Sequence, residues 1–287
     1  MDNFFVITNK PKDPGLETTS FICSYLEKNH KKCTVVIRET LEKKLASEQE
    51  NPLEIPEDTD CVLVLGGDGT LLQTARDTVH LDIPLVGINL GTLGYMAEVE
   101  KSNLQDALDR ILRDEGFVEQ RMMLAGNISS AKSGEIAGYA LNDIVFCRQG
   151  ELKVIAYDIY VNGQFLNRYE ADGLIVSTPT GSTGYNLSAG GPIVEPKARL
   201  ILITPICPHT LNSRSIILSP DDQIEVRIAP GHHGTVHNVF ISFDGSLNEE
   251  LTTGDSVFIT QSDKNIRFYR LNQVSFLEVL HKKMSEK

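Results

Sequence analysis

The residues best placed to do chemistry lie in Gly66–Gly67–Asp68–Gly69–Thr70. The apolar run Cys61–Leu65 breaks there into three glycines around one carboxylate, and apolar side chains resume at helical spacing as Leu71, Leu72 and Ala75. That order predicts a buried strand ending in a tight turn that opens a helix. In an open α/β sheet such a turn sits where ligands bind, beyond the strand's carboxyl end. Glycine lets a ligand approach the main-chain amides closely. A carboxylate repels the phosphates that a bare glycine loop would cradle, so Asp68 has another task. It either caps the helix at Thr70 or takes part in a reaction at the turn.

The second stretch is Asp172–Gly173–Leu174–Ile175–Val176–Ser177–Thr178–Pro179–Thr180–Gly181–Ser182–Thr183–Gly184–Tyr185–Asn186–Leu187–Ser188–Ala189–Gly190–Gly191–Pro192. A strand empties into hydroxyls and glycines too dense for an ordinary turn. Backbone donors, adjustable hydroxyls and the flat ring of Tyr185 make up the inventory for gripping a nucleotide. Asn142–Asp143, between the strand-like runs Tyr139–Leu141 and Ile144–Phe146, reads either as a turn or bulge or as a source of hydrogen bonds to ribose hydroxyls. Asp244–Gly245 reads as a hairpin turn. His209 is either a general base or a solvated loop histidine, and His232, His233 and His237 lack partner ligands for a metal. Neither GxxxxGK[ST] nor a GxGxxG after a first strand occurs, which argues against a P-loop enzyme and a Rossmann dehydrogenase.

These stretches need a frame. The chain of 287 residues is long enough for two domains, and 41% hydrophobic with 23% charged residues describes an ordinary globular protein. A net charge of −12 leaves no basic face for nucleic acid. Five cysteines (Cys23, Cys33, Cys61, Cys147, Cys207) without a CxxC pair predict reduced thiols. No segment reads as a signal peptide or a membrane span, so the expected place is the cytoplasm.

Strands at Phe4–Ile7, Thr34–Ile37, Cys61–Leu65 and Ile83–Ile88 alternate with helices at Leu16–Lys28, around Leu41–Leu45, after Thr70 and at Leu104–Leu112. Leu16, Phe21, Tyr25 and Leu26 are the expected inward face of the first helix. Alternation of this kind predicts a doubly wound, mostly parallel sheet over residues 1–116. From Phe117 the texture turns to short β-branched runs, with Asn162–Gly163 as a hairpin signal, predicting a β-rich domain over 117–270. A final helix around Val274, Leu277 and Leu280, within 271–287, is expected to return to the first domain.

Taken together, Gly66–Thr70, Asn142–Asp143 and Asp172–Pro192, in this order, resemble the NAD kinases, which phosphorylate the 2′-hydroxyl of the adenosine ribose of NAD. The likeness runs over nearly the whole chain. Diacylglycerol and sphingosine kinases share a turn like the first motif, and phosphofructokinases a related one, whereas Thr178–Tyr185 is the specific part. The resemblance implies an α/β donor-phosphate domain and a β-rich NAD-binding domain, with NAD lying between them. It implies that Asp68 is the catalytic base, that Gly66, Gly67 and Gly69 approach the donor phosphates, and that Thr70 belongs to the nucleotide-binding set. Asn142 and Asp143 would bind the adenosine, with Asp172, Thr183, Gly184, Tyr185, Asn186, Leu187 and Ser188 completing the dinucleotide site. Lys153 would help to neutralise the pyrophosphate. Asp143 stands where many relatives have Glu, Gly184 where some have Ala, and Glu170 where many have a basic residue. The donor would be ATP or polyphosphate, accompanied by a divalent metal, with Mg²⁺ the expected ion. The assembly would be a homo-oligomer, dimer or tetramer, in which residues near Tyr185 reach a neighbouring subunit's site. Two other readings stand beside this one: a lipid or sugar kinase sharing the Gly-Asp-Gly turn, and a non-catalytic NAD-sensing module.

Overall fold

A computed structural model of the chain describes residues 1–39, 53–91, 94–130, 132, 134–150, 154–210, 213–245, 247–272 and 275–285. Two compact units are present. Unit 1 holds the described residues of Met1–Glu42, Glu50–Arg121 and Ile266–Lys287, and unit 2 those of Met122–Asn265. The expected helix at Leu41–Leu45 lies outside the described residues.

Unit 1 begins with β1 (Asn3–Asn9), α1 (Glu17–Lys28), β2 (Lys32–Arg38), β3 (Cys61–Gly66), α2 (Asp68–Asp77), β4 (Leu85–Asn89), β5 (Val99–Glu100) and α3 (Leu104–Leu112). Its strands pair in parallel in the order β2-β1-β3-β4. Every residue of β3 and β4 is buried, because helices cover both faces of such a sheet. Alternation along the strands sorts the side chains. Phe4, Val6, Leu63, Leu65, Val86 and Ile88 share one core with Ile22 and Leu26 of α1 and Leu104, Leu108 and Ile111 of α3. Gly87, of opposite parity to Val86 and Ile88, lies against Leu71 of α2: a Cβ there would be 2.6 Å from Leu71 Cδ1. The sheet is therefore wound on both sides. Thr8 pairs with Leu65 and Gly66 with Asn89, which aligns the carboxyl ends of β1, β3 and β4.

The inward face of α1 differs from expectation. Thr18, Thr19, Ile22 and Leu26 are buried, whereas Phe21 is 42% exposed, Tyr25 is half-buried and Leu16 precedes the helix in a left-handed conformation (φ 53°). Thr19 goes inward with its amide and hydroxyl both bonded, whereas Thr18 is held by its amide alone and its hydroxyl is buried without a partner. The Thr19 hydroxyl bonds Thr8, and the Asp13 carboxylate accepts the Thr18 and Thr19 amides. Leu26 is buried as expected, but apolarity alone passes over the threonines and overrates Phe21.

The chain continues through β6 (Phe117–Ser130), β7 (Gly134–Ala140), β8 (Asp143–Arg148), β9 (Ile155–Val161), β10 (Gln164–Ala171), β11 (Gly173–Ser177), α4 (Tyr185–Ser188), β12 (Ile201–Ile206), β13 (Ile216–Leu218), β14 (Ile224–Ala229), β15 (Asn238–Phe243), β16 (Leu247–Thr252), β17 (Ser256–Arg270) and α5 (Phe276–Ser285). In unit 2 a six-stranded antiparallel sheet runs β13-β12-β11-β8-β15-β16. A second antiparallel set joins β10, β9, β14 and the first half of β17. Their facing side chains, among them Ile144, Phe146, Leu174, Val176, Tyr157, Ile159 and Val226, form one core. The Asn162–Gly163 turn joins β9 to β10 with both residues at positive φ, as a type I′ hairpin requires. The long strand β6 and strand β16 are not evident from sequence, and of β17 only Val257–Ile259 reads as strand. Helix α5 belongs to unit 1, yet none of its residues is buried and Leu277 is 69% exposed. All five cysteines are free; Cys61 is buried and Cys207 exposed. No helix among the described residues is long and apolar enough to cross a membrane.

Candidate active site

In unit 1 the turn after β3 places Gly67, in extended conformation, at the N-cap of α2, and Asp68 in the first turn of that helix. The first-turn amides of a helix lack intrahelical acceptors and carry the positive end of its dipole, so they favour an anion. Asp68 does not cap its own helix: no side-chain cap hydrogen bond is made. Its carboxylate turns to the loop after β4 instead. Oδ2 accepts the Tyr95 amide at 2.7 Å, and Oδ1 accepts those of Met96 and Ala97 at 3.2 and 3.3 Å. The approach needs Gly94, because a Cβ there would lie 2.1 Å from Oδ1. Thr70 is buried and its hydroxyl accepts a bond from Asn9 Nδ2 at 3.0 Å, so it braces the turn from below. Gly69 is exposed.

The Asp68 seat is itself fastened. Arg270, at the end of β17, donates to the Met96 carbonyl at 2.7 Å and sits 3.7 Å from Glu98 and 3.3 Å from Glu119. Glu98 in turn accepts the amides of Leu271 and Asn272. Arg270 is buried, and a buried guanidinium is stable only with such partners.

In unit 2 the polar pair Asn142–Asp143 enters β8 beside the end of β11, where Asp143 pairs with Ser177. The Thr178 amide and the Ser177 hydroxyl donate to the Asn142 carbonyl, and the Thr178 hydroxyl donates to the Leu141 carbonyl at 2.6 Å. Gly181 packs so closely that a Cβ would lie 2.2 Å from the Asn142 oxygen. The two stretches singled out from sequence are thus joined here.

Side chains alternate across β8 and β11, so Asp143, Val145 and Cys147 share the face opposite the Ile144–Phe146 core, together with Ile175 and Ser177. Tyr185 is 44% exposed, and its hydroxyl lies near the Cys147 thiol on that face. Asp172, ion-paired with Arg148 at 3.3 Å, marks the far end of the ladder, about 17 Å from Ser177 at the usual rise per residue. Thr183 and Gly184 are half-buried, and Leu187 and Ser188 are exposed. Asn186 is fully buried: its amide donates to the Ser182 and Pro192 carbonyls and accepts the Thr204 hydroxyl. It shapes the loop from within.

Asp143 is 6% exposed. Burial, then the nearby charge of Asp244, pushes its carboxyl up to about 7. Asp244, read from sequence as a plain hairpin residue, does form that turn, with φ 48° and Gly245 at 75°. Its carboxylate also accepts the backbone amides of Leu141, Asn142 and Asp143 at 2.8, 2.8 and 3.0 Å. No local signal shows such a long-range contact; only a second carboxylate-bearing turn in the β-rich half hinted at it. His209, His232 and His233 are exposed, His237 is buried, and Lys153 lies outside the described residues.

A carboxylate held at a glycine turn of an α/β unit, together with a hydroxyl- and glycine-rich platform on a β unit, defines a nucleotide-dependent phosphotransferase. Comparison with known proteins narrows the class. The family model described as the ATP-NAD kinase N-terminal domain matches residues 4–116, and that of the ATP-NAD kinase C-terminal domain matches 141–271. The chain belongs to the NAD kinase family. It is 43% identical over 293 residues to the NAD kinase of Lachnospira eligens, covering 99% of this chain and 100% of the relative. It is 45% identical over 285 residues to that of Agathobacter rectalis, covering 99% of each. Among solved structures it resembles yeast NADH kinase complexed with NADH, with a TM-score of 0.84 and 27% identity over 100% of this chain and 88% of the other. The NAD kinase from Archaeoglobus fulgidus in complex with ATP shares the fold, with a TM-score of 0.75 and 24% identity over 100% of both chains.

Proposed function

We propose that the chain transfers the terminal phosphoryl group of ATP to the 2′-hydroxyl of the adenosine ribose of NAD, giving NADP, with Asp68 as general base. The observation that carries this reading is the Asp68 carboxylate, aimed by three amides of the Tyr95–Ala97 segment and set in the first turn of α2. A ribose hydroxyl is a poor nucleophile. As its oxygen bonds to the γ-phosphorus, its proton passes to Asp68 and the bond to the β,γ-bridging oxygen breaks, releasing ADP. Catalysis of this kind rests on positioning and charge neutralisation, with the base adding about 10²–10⁴-fold. Gly66, Gly67 and Gly69 leave the amides of the turn open to the donor phosphates.

Asn142 and Asp143 bind the adenosine, while Thr183, Gly184, the Tyr185 ring and the Leu187–Ser188 end of α4 border it. Asp172 closes the far end, and Asn186 and Thr70 hold the two loops in shape. No group of three His, Cys, Asp or Glu among the described residues could hold a metal ion, and the Asp68 oxygens already accept three amides. That donor set fits a divalent cation carried by the donor phosphates rather than one resident in the protein. When bound, such a cation neutralises phosphate charge.

The experiment is NADP formation from NAD with ATP, with inorganic polyphosphate, and with diacylglycerol as an alternative acceptor. NADP accumulating with ATP is the expected result. Phosphorylation of diacylglycerol alone, or NAD binding without NADP at any donor concentration, would overturn the reading.

A further inference from the structure

A single helical turn, Lys10–Lys12, follows β1 and rises beside the carboxyl ends of β3 and β4. It brings the Lys12 ammonium over the glycine turn. A Cβ on Gly67 would lie 2.6 Å from Lys12 Nζ, and one on Gly91 would lie 3.4 Å from it. The cation therefore bridges the two glycine segments that border Asp68, in space that only glycine leaves open.

Its neighbour in the same turn is engaged elsewhere: Lys10 pairs with Glu39 at 2.6 Å. Lys12 makes no ion pair among the described residues, and it is exposed. Asp68 does not neutralise it either, because that carboxylate is turned to the amides of Tyr95, Met96 and Ala97. A cation with three donors, held beside outward-facing first-turn amides in a protein of net charge −12, is suited to a polyanion.

We infer that Lys12 is a binding residue for the phosphate chain of the phosphoryl donor, held across Gly67 and Gly91. The inference rests on the NAD kinase reading for the identity of the donor, and it adds a residue that no motif contains. Lys12 offsets the repulsion between Asp68 and the donor phosphates from the protein side.

The test uses the full chain with Lys12→Gln and Lys12→Arg, and two readouts. The first is steady-state kinetics with ATP and NAD varied separately. The second is the Kd of inorganic tripolyphosphate, which needs no turnover. Lys12→Gln is expected to raise the KM for ATP and the Kd for tripolyphosphate about tenfold or more, the loss of one bond between charged groups. The KM for NAD should stay within about twofold of wild type, and Lys12→Arg should recover most of the loss, since a guanidinium keeps the charge. Unchanged ATP and tripolyphosphate constants in Lys12→Gln overturn the inference. So does an equal rise for ATP and NAD, which marks a merely structural role. Wild-type protein that binds tripolyphosphate but makes no NADP overturns the functional reading and leaves the Lys12 result to stand on its Kd.

Discussion

Asp68 and Asp143 are both carboxylates beside the end of a buried strand, yet their surroundings are opposite. Asp68 is half-buried and accepts three main-chain amides. Asp143 is buried, gains no such donor among the described residues, and lies near a second carboxylate, Asp244, which takes the neighbouring amides for itself. The first environment aims a charge; the second suppresses one. The proposed roles use this difference: Asp68 as base would receive a proton, while Asp143 at the adenosine would keep its own to donate a hydrogen bond.

The sharpest way to break the contrast is Asp68→Asn. The amide keeps the shape and removes the proton acceptor, so kcat should fall about 10²–10⁴-fold while the KM for NAD holds. Turnover near wild type would remove Asp68 from the chemistry.

Next in size is the pH dependence of stability. The Asp143 carboxyl is raised from 3.8 to about 7. Its contribution to stability is therefore complete below about pH 4 and is lost as pH rises towards 7. The loss is on the order of 4 kcal/mol at about 1.4 kcal/mol per pH unit. Asp143→Asn should lack this slope, with the two melting curves converging near pH 4 and the variant the more stable near pH 8. Parallel profiles of Tm against pH would mean that Asp143 titrates as an ordinary carboxylate.

The smallest effect on the reaction belongs to Asp244→Ala. It strips the acceptor from three amides, at about 1–3 kcal/mol for a buried orphan. Loosening of the 141–143 segment should raise the KM for NAD more than that for ATP. Equal changes in both constants would reduce Asp244 to a hairpin residue.

What the sequence shows and what it hides follow from distance along the chain. Gly66–Thr70 and Thr178–Ser188 are legible because the chemistry is dense in one place, and the strand-helix alternation of unit 1 is legible because its periods are local. Asp244 reads as a turn, which it is, but its carboxylate acts on Asn142, 102 residues away. Lys12 has no motif, and its position depends on where β1 ends relative to β3. The misread face of α1 has a different cause. Thr19 is buried with its hydroxyl bonded to Asp13, and Thr18 beside it with its amide bonded to the same carboxylate, which a count of apolar side chains does not register.

The Arg270–Met96 bond joins residues 174 positions apart, and that has a consequence for synthesis. A nascent chain has its glycine turn and its Tyr95–Ala97 amides long before the guanidinium that secures them is translated. Until then Glu98 and Glu119 lack that cation and the loop under Asp68 lacks its anchor. The loop that seats Asp68 thus gains its last fastening only once β17 has been made and has docked.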